Sequence, residues 1–182
     1  MGIHRLNHAV LFVRDVDRSV AFYRDVLGFG PAHVGDGHGG SPTAIPGAAF
    51  LRAPGSTNDH DLGLFELGAA AGPSGAGRTS VGLYHLAWEV ETLADLERLQ
   101  VALAEAGALV GASDHGTTKS LYGADPDGLE FELCWIIPSD LLDEAAFAGR
   151  TTIRPLDLRR EIARYGADTP GGYGISRAAV KA

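Results

Sequence analysis

The stretch GLYHLAWEV, residues 82–90, has the composition of a buried β-strand with one polar side chain, His85, among apolar and aromatic neighbours. A similar stretch, LNHAVLFV at residues 6–13, carries His8 at the matching position. An amphipathic helical pattern follows each strand, RDVDRSVAFYRDVLGFG at 14–30 and TLADLERLQVALAEAG at 92–107. The chain is therefore predicted to contain two similar halves, each of which opens with a strand and a helix.

The two halves also end alike. The stretches DHDLGLFELG at 59–68 and LEFELCWII at 129–137 are typical of strands, and alignment of LFELG with EFELC places Glu66 on Glu132. A linker rich in Gly, Ala and Ser, GAAAGPSGAGRTS at 68–80, separates the halves. Further strands are predicted near 108–112 and at 120–125, before a DPDG turn at 125–128. Each half thus begins with a strand histidine and ends with a strand glutamate.

Strand alternation predicts which side chains share a face of the sheet. The opening strand is expected to direct His8 to one face and the apolar residues Ala9, Leu11 and Val13 to the other. The last strand is expected to separate Glu132 from Phe131, Leu133 and Trp135. If the apolar sets pack against helices, His8 and Glu132 face away from them. The same rule predicts one shared face for His60, Leu62, Leu64 and Glu66.

Imidazoles buried beside carboxylates are costly unless they pair or bind a metal. Two histidines and one carboxylate with open positions form the arrangement associated with non-haem Fe(II) oxygenases. Four protein ligands, His8, Glu66, His85 and Glu132, would instead suit an octahedral Ni, Zn, Mn or Co site. The spacing alone does not choose between these sites, and either histidine taken singly is also compatible with a satisfied core residue.

Composition limits the partners. Lys and Arg contribute 15 positive charges and Asp and Glu 23 negative ones, and the formal net charge of −8 argues against nucleic acid or anionic lipid as a ligand. A single cysteine, Cys134, excludes an intramolecular disulfide, and no segment has the pattern of a signal peptide or a membrane span. We therefore expect a cytoplasmic protein with a small-molecule ligand, without nucleic-acid or membrane partners.

The segments LNHAVLFVRDVDRSVAFYRDVLGF, GLYHLAWEV and DHGTTKSLYGADPDGLEFELCW together resemble the vicinal oxygen chelate superfamily. This superfamily includes glyoxalase I, methylmalonyl-CoA epimerase, bleomycin-resistance proteins and type I extradiol dioxygenases. The resemblance implies an α+β fold in which two βαβββ motifs form a cupped mixed sheet around a metal. It assigns residues 1–137 to this domain, with repeats at 3–68 and 81–137 and a linker at 69–80.

The resemblance also implies roles for individual residues. His8, His85 and Glu132 fall on ligand positions of the superfamily. The extradiol branch further carries a histidine in an HD segment, a histidine in an HG loop, and a tyrosine ten residues before the ligand glutamate. Here these are His60 in DHDLGLF, His115 in DHGTTKSLY, and Tyr122. The chain is thus similar to single-module proteins of the catechol 2,3-dioxygenase type.

This likeness favours an Fe(II) extradiol dioxygenase that cleaves a catechol-like aromatic substrate, with His60 or His115 as acid or base and Tyr122 as a hydrogen-bond donor. Two alternatives stay open. One is a glyoxalase I-like or epimerase-like isomerase or lyase, with Glu66 as a fourth ligand and Ni, Zn, Mn or Co as the metal. The other is a non-catalytic protein that sequesters a small molecule, as bleomycin-resistance proteins do. Analogy with single-module members also implies a homodimer.

The resemblance does not reach the C-terminal extension, residues 138–182. Its sequence predicts a helix with Ser139 as N-cap, a second short helix in PLDLRREIARYG that ends at Gly166, and a loose tail. The stretch 31–58, rich in Gly and Pro, is expected to determine substrate specificity.

Overall fold

The computed structural model describes residues 2–3, 5–32, 47–77 and 79–172. The chain divides into two compact units. Unit 1 comprises Met1–Ser74 together with Asp125–Gly128, and unit 2 comprises Gly75–Ala124 together with Leu129–Ala182. Half of the stretch expected to determine specificity, residues 33–46, and the end of the predicted tail, residues 173–182, lie outside the described residues.

Unit 1 contains one helix and a four-stranded sheet in the order β1-β4-β3-β2. The first strand runs parallel to the fourth, and the other neighbouring pairs are antiparallel. In chain order the elements are β1 (Ala9–Val13), α1 (Val16–Asp25), β2 (Gly30–Pro31), β3 (Ala48–Arg52) and β4 (Leu62–Glu66).

Helix α1 covers one face of this sheet. It begins after Asp15, whose carboxylate accepts a hydrogen bond from the Arg18 amide and so satisfies a free N–H of the first turn. The alternation predicted for the first strand is confirmed, because Leu11 and Val13 are buried while Val10 and Phe12 are exposed. The core of unit 1 is completed by Tyr23, Leu27, Phe29, Leu51, Leu62 and Leu64.

The DPDG turn belongs to unit 1, although the strands on either side of it belong to unit 2. The Tyr23 hydroxyl donates to Asp125 Oδ2 over 3.3 Å, and the Arg14 amide donates to Asp127 Oδ2 over 2.7 Å. Side chains of the turn therefore provide hydrogen-bond acceptors for α1 and for the chain just before it.

Unit 2 repeats the pattern of unit 1. Its sheet has the order β5-β8-β7-β6-β9, in which β5 and β8 are parallel and the other pairs antiparallel. The repeated elements are β5 (His85–Glu89), α2 (Leu93–Glu105), β6 (Leu109–Asp114), β7 (Thr118–Ala124) and β8 (Glu130–Ile136). Each unit thus contains a βαβββ motif, and the predicted α+β fold class is confirmed.

Helix α2 packs on the sheet of unit 2 through Leu93, Leu96 and Leu103, all fully buried. A capping box fixes its start, because Thr92 Oγ1 accepts from the Asp95 amide while the Asp95 carboxylate accepts from the Thr92 amide. The helix-facing side of β8 is formed by Phe131, Leu133 and Trp135, as alternation predicts.

The C-terminal extension contains α3 (Glu144–Gly149), β9 (Arg154–Pro155) and α4 (Leu158–Tyr165). The prediction of a helix that ends at Gly166 is confirmed, since Gly166 is the C-cap of α4. The prediction of Ser139 as an N-cap is wrong. Residues 139–141 form a turn, and the Asp143 carboxylate caps α3 by accepting from the Ala146 amide. Within the described part of the chain, no helix is long and apolar enough to cross a membrane.

Candidate active site

Four of the seven candidate residues lie together on one face of the unit 2 sheet. Strand register brings them there: Tyr122 on β7 pairs directly with Glu132 on β8, and Glu132 pairs with Ala87, two residues after His85. His115 lies in the turn between β6 and β7. This face is opposite to the one that α2 covers.

Two close contacts connect these four side chains. His85 Nε2 lies 3.2 Å from Glu132 Oε2, and His115 Nε2 lies 2.8 Å from the Tyr122 hydroxyl. The rings of His85 and Tyr122 are 5.9 Å apart, so the two pairs adjoin. The side chains of His85 and Glu132 are 25% and 14% exposed, which leaves them accessible to a small ligand.

The His85 and Glu132 pair has the donor chemistry of a metal site. An imidazole nitrogen and a carboxylate oxygen are common ligands of divalent first-row metals, and two neighbouring ligands about 2.1 Å from one metal lie about 3 Å apart. His85 Nδ1 is buried without a hydrogen-bond partner among the described residues. An ion held between Nε2 and Oε2 would not contact Nδ1, on the other side of the ring, so the fit rests on the donor atoms and the 3.2 Å between them. The residues therefore fit a metal.

The same carboxylate affects its neighbours. Burial, followed by the nearby Glu132 carboxylate, raises the pKa of Tyr122 to about 12. Tyr122 therefore keeps its proton at neutral pH and can donate it in a hydrogen bond. Burial and Glu132 likewise raise the pKa of Cys134 to about 12, so the free thiol is not ionised at neutral pH and is a poor nucleophile.

Two further candidates lie together in unit 1. The rings of His8 and His60 are 4.6 Å apart, and the His60 ring also contacts Phe50 edge-on at 4.9 Å. His8 is exposed, just before β1. The prediction that His60 shares a face with Leu62 and Leu64 is wrong. His60 precedes β4, where the chain does not follow strand alternation.

Buried Asp61 explains this departure from strand geometry. Its carboxylate accepts hydrogen bonds from the Ala53 amide, the Ser56 hydroxyl and the Asn58 side chain, so it organises the loop before β4. Leu62 is the first residue of the regular strand. The His60 ring therefore packs against His8 rather than facing the core.

Glu66 is placed apart from His8. It pairs with Val13 and so faces α1, where its Oε2 accepts a hydrogen bond from the Val16 amide over 3.0 Å. It thereby satisfies a free N–H at the helix start. Among the described residues, no three His, Cys, Asp or Glu side chains are grouped closely enough to hold a metal ion. Of the four candidate ligands, His85 and Glu132 are the two that lie within contact distance of each other among the described residues.

One aromatic residue beside the site was not predicted. The Tyr84 ring lies 4.7 Å from the His85 ring, although alternation would direct adjacent side chains to opposite faces. Tyr84 precedes β5, so the alternation rule does not reach it. Tyr84 is part of the stretch GLYHLAWEV, but the sequence does not show that β5 begins one residue later, at His85.

Known proteins share the sequence pattern and the fold of this chain. Residues 5–133 match the model of the Glyoxalase/Bleomycin resistance protein/Dioxygenase superfamily. Biphenyl-2,3-diol 1,2-dioxygenase 3 of Rhodococcus globerulus is 36% identical over 135 residues, which are 71% of this chain and 62% of that protein. The chain thus matches less than two thirds of the length of this relative.

Solved structures show the same fold. A glyoxylase/bleomycin resistance protein/dioxygenase domain from Frankia sp. EAN1pec superposes with a TM-score of 0.56 at 28% identity, over 73% of this chain and 92% of that one. Lactoylglutathione lyase from Agrobacterium tumefaciens gives a TM-score of 0.50 at 20% identity, over 74% and 95% of the two chains. The chain therefore belongs to the glyoxalase/bleomycin resistance protein/dioxygenase superfamily.

Proposed function

We propose that this protein is an Fe(II)-dependent dioxygenase of the extradiol type, which cleaves the ring of a catechol-like aromatic substrate. The observation that carries the proposal is the adjacency of a ligand pair, His85 and Glu132, to a hydrogen-bonded acid–base pair, His115 and Tyr122. A relative at 36% identity that is named as a biphenyl-2,3-diol dioxygenase supports it.

The proposed metal ligands are His85, Glu132 and His8. The first two are adjacent in unit 2, whereas His8 belongs to unit 1 and is assigned by its sequence position alone. Fe(II) bound by these residues would supply a Lewis acid on which a catecholate and dioxygen are brought together. Glu66 is omitted from the proposed ligands because it caps α1 on the other side of its sheet from the His8 position.

The chain's own residues would move protons and orient the substrate. Tyr122 remains protonated at neutral pH and can donate a hydrogen bond to a substrate oxygen. His115 Nε2 contacts the Tyr122 hydroxyl, so its imidazole can accept or return a proton there. The Tyr84 ring beside His85 provides an apolar surface suited to an aromatic substrate. His60 remains a proposed second acid or base.

The test combines metal analysis with oxygen uptake. Protein purified without oxygen is assayed for Fe and then supplied with catechol and biphenyl-2,3-diol, for wild type and for His8→Ala, His85→Ala and Glu132→Ala. We expect about one Fe per chain in the wild type, with ring cleavage coupled to oxygen uptake, and loss of both in each variant. Glu105→Ala, an exposed glutamate on α2, serves as the control and should retain both.

Two outcomes would contradict the proposal, and a third would contradict only the assignment of His8 as a ligand. Bound Ni, Zn, Mn or Co with turnover independent of oxygen would indicate an isomerase or lyase. Stoichiometric ligand binding with no metal would indicate sequestration without catalysis. Full Fe binding in His8→Ala would exclude His8 as the third ligand while leaving the roles of His85 and Glu132 intact.

A further inference from the structure

The turn that carries His115 is held by buried polar contacts. Asp114 Oδ1 accepts hydrogen bonds from the Gly116 amide over 2.8 Å and from Lys119 Nζ over 2.5 Å. Lys119 Nζ also donates to the Gly116 carbonyl over 3.1 Å. The Lys119 ammonium group therefore contacts Asp114 and Gly116, the residues on either side of His115.

Lys119 is itself buried against the C-terminal extension. It is 1% exposed, and its Nζ lies 3.3 Å from Oε2 of Glu161 on α4, which is 2% exposed. Lys119 thus lies between two carboxylates, Asp114 at 2.5 Å on the turn and Glu161 at 3.3 Å on α4, and the contact to Glu161 joins the turn to the extension. Arg154 of β9, 3.7 Å from Asp114 Oδ2, adds a second ionic contact from the extension.

The extension also fits the backbone of the turn closely. Gly116 has φ +76°, and a Cβ added there would lie 2.4 Å from the Ala146 carbonyl and 2.7 Å from the Arg150 nitrogen. The end of α3 therefore packs directly on Gly116. Strand β9 pairs with Ser113 and Asp114, the residues that lead into the turn. Three elements of the extension thus contact the residues beside His115.

We propose that the C-terminal extension is a positioning element of the site, in which Glu161, acting through Lys119, fixes the turn so that His115 meets Tyr122. Glu161 is a positioning residue and not a catalytic one, because it lies on the α2 and α4 side of the sheet and contacts Lys119 rather than the site face. The effect on catalysis rests on the proposed function, whereas the effect on the position of His115 does not.

The test uses the full chain with Glu161→Gln, which preserves shape and removes the charge. Its control is Glu144→Gln, an exposed glutamate of α3. Amide hydrogen exchange is measured at residues 114–119, together with the NMR signals of the His115 ring. We expect exchange in this turn to be at least tenfold faster in Glu161→Gln, with a shifted His115 signal, and both to be unchanged in Glu144→Gln.

A double-mutant cycle then tests whether Glu161 acts through His115. Glu161→Gln should lower kcat about tenfold in the wild-type background, with Fe content unchanged, and should have no further effect in His115→Ala. An equal loss of kcat in both backgrounds would overturn the proposed route through His115. Unchanged exchange at 114–119 would overturn the positioning role, whatever the activity.

A second variant is made in case Glu161→Gln does not fold. Glu161→Asp keeps the charge on α4 but draws the carboxylate back from Lys119 Nζ, and it leaves the contacts of Lys119 with Asp114 and Gly116 in place. We expect this variant to fold and to show the same faster exchange at the turn. If the wild type shows no ring cleavage at all, the proposed function fails, and hydrogen exchange alone decides the positioning role.

Discussion

His115 and Tyr122 contact each other, and neither is a proposed metal ligand. Their acid–base role can therefore be tested without changing the metal site. We predict that Tyr122→Phe lowers kcat for ring cleavage by about a hundredfold, in the range expected for loss of a general acid or base, while Fe content stays at the wild-type level. Oxygen uptake and elemental analysis on the same samples check this. Loss of iron in Tyr122→Phe would show that the tyrosine supports the metal site instead.

Gly123 on β7 packs closely against the core of unit 2. A Cβ on Gly123 would lie 2.5 Å from the Phe131 ring and 3.2 Å from Leu103 Cδ2, whereas a Cβ on Gly111 would meet nothing within 4 Å. We predict that Gly123→Ala destabilises the protein by about 1–3 kcal/mol because the buried ring must move. Gly111→Ala should change stability by less than about 0.5 kcal/mol. Urea unfolding of both variants measures this difference.

At the residue scale, strand alternation predicted which face of the sheet a polar side chain occupies wherever the residue lies within a regular strand. Glu132 faces away from the helix as expected, because β8 is regular along its length. The face of His60 was predicted wrongly and the position of Tyr84 was not predicted, since each lies just outside a strand and its direction depends on the local turn. The hydrogen bond between Glu66 and the start of α1 also depends on tertiary contact rather than on sequence pattern.

At the level of elements, the start of α2 is determined by a local sequence motif, and the helix packs against the core of unit 2. Its capping box joins Thr92 and Asp95, and burial, which alone would raise the pKa of Asp95, is outweighed by hydrogen bonds from Thr92 and by Arg98, so that this pKa is lowered. We predict that Thr92→Ala costs about 1 kcal/mol of unfolding free energy, and that Thr92→Ser, which keeps the hydroxyl and is at least as good an N-cap, leaves this free energy unchanged. Equal losses in the two variants would indicate that the methyl group, not the cap, is responsible.

The helices and long strands were predicted because their periodicity or alternation extends over many residues. Strands β2 and β3 were not predicted individually, since β2 has two residues and β3 borders a stretch dense in Gly and Pro. Strand β9, also of two residues, forms only because β6 offers an edge to pair with. The start of α3 was misplaced because both Ser139 and Asp143 are good N-cap residues, and only the fold selects Asp143.

For the whole molecule, the repeat in the sequence corresponds to a repeat in topology. Both units order their strands first, fourth, third and second, with the first strand parallel to the fourth. The matching positions of His8 and His85, and of Glu66 and Glu132, predicted the repeat, whereas the two βαβββ motifs were implied by the resemblance to the vicinal oxygen chelate superfamily. The homodimer implied by analogy stays a prediction. Gel filtration with light scattering tests it, and a mass of about 19 kDa, that of one chain, would contradict it.

Unit 1 is assembled from two separate stretches of chain, and Tyr23 bonds one to the other through Asp125. Burial, followed by the charge of Asp125, raises the pKa of Tyr23 well above its usual value. The unfolded state therefore releases this proton at a lower pH than the folded state does. Stability from this group is complete below about pH 10, the unfolded pKa of tyrosine, and is lost as the pH rises toward the folded pKa.

We predict that wild-type stability falls between pH 8.5 and 10.5 by about 1 kcal/mol more than that of Tyr23→Phe, which has no proton to release. Urea unfolding followed by circular dichroism at the two pH values measures both differences. The comparison with Tyr23→Phe cancels the contributions of the half-buried Tyr122 and Tyr165 and of Cys134, which are present in both proteins. Parallel losses in the two proteins would mean that the Tyr23 hydroxyl is free to ionise in the folded state, and that the DPDG turn is not held by this hydrogen bond.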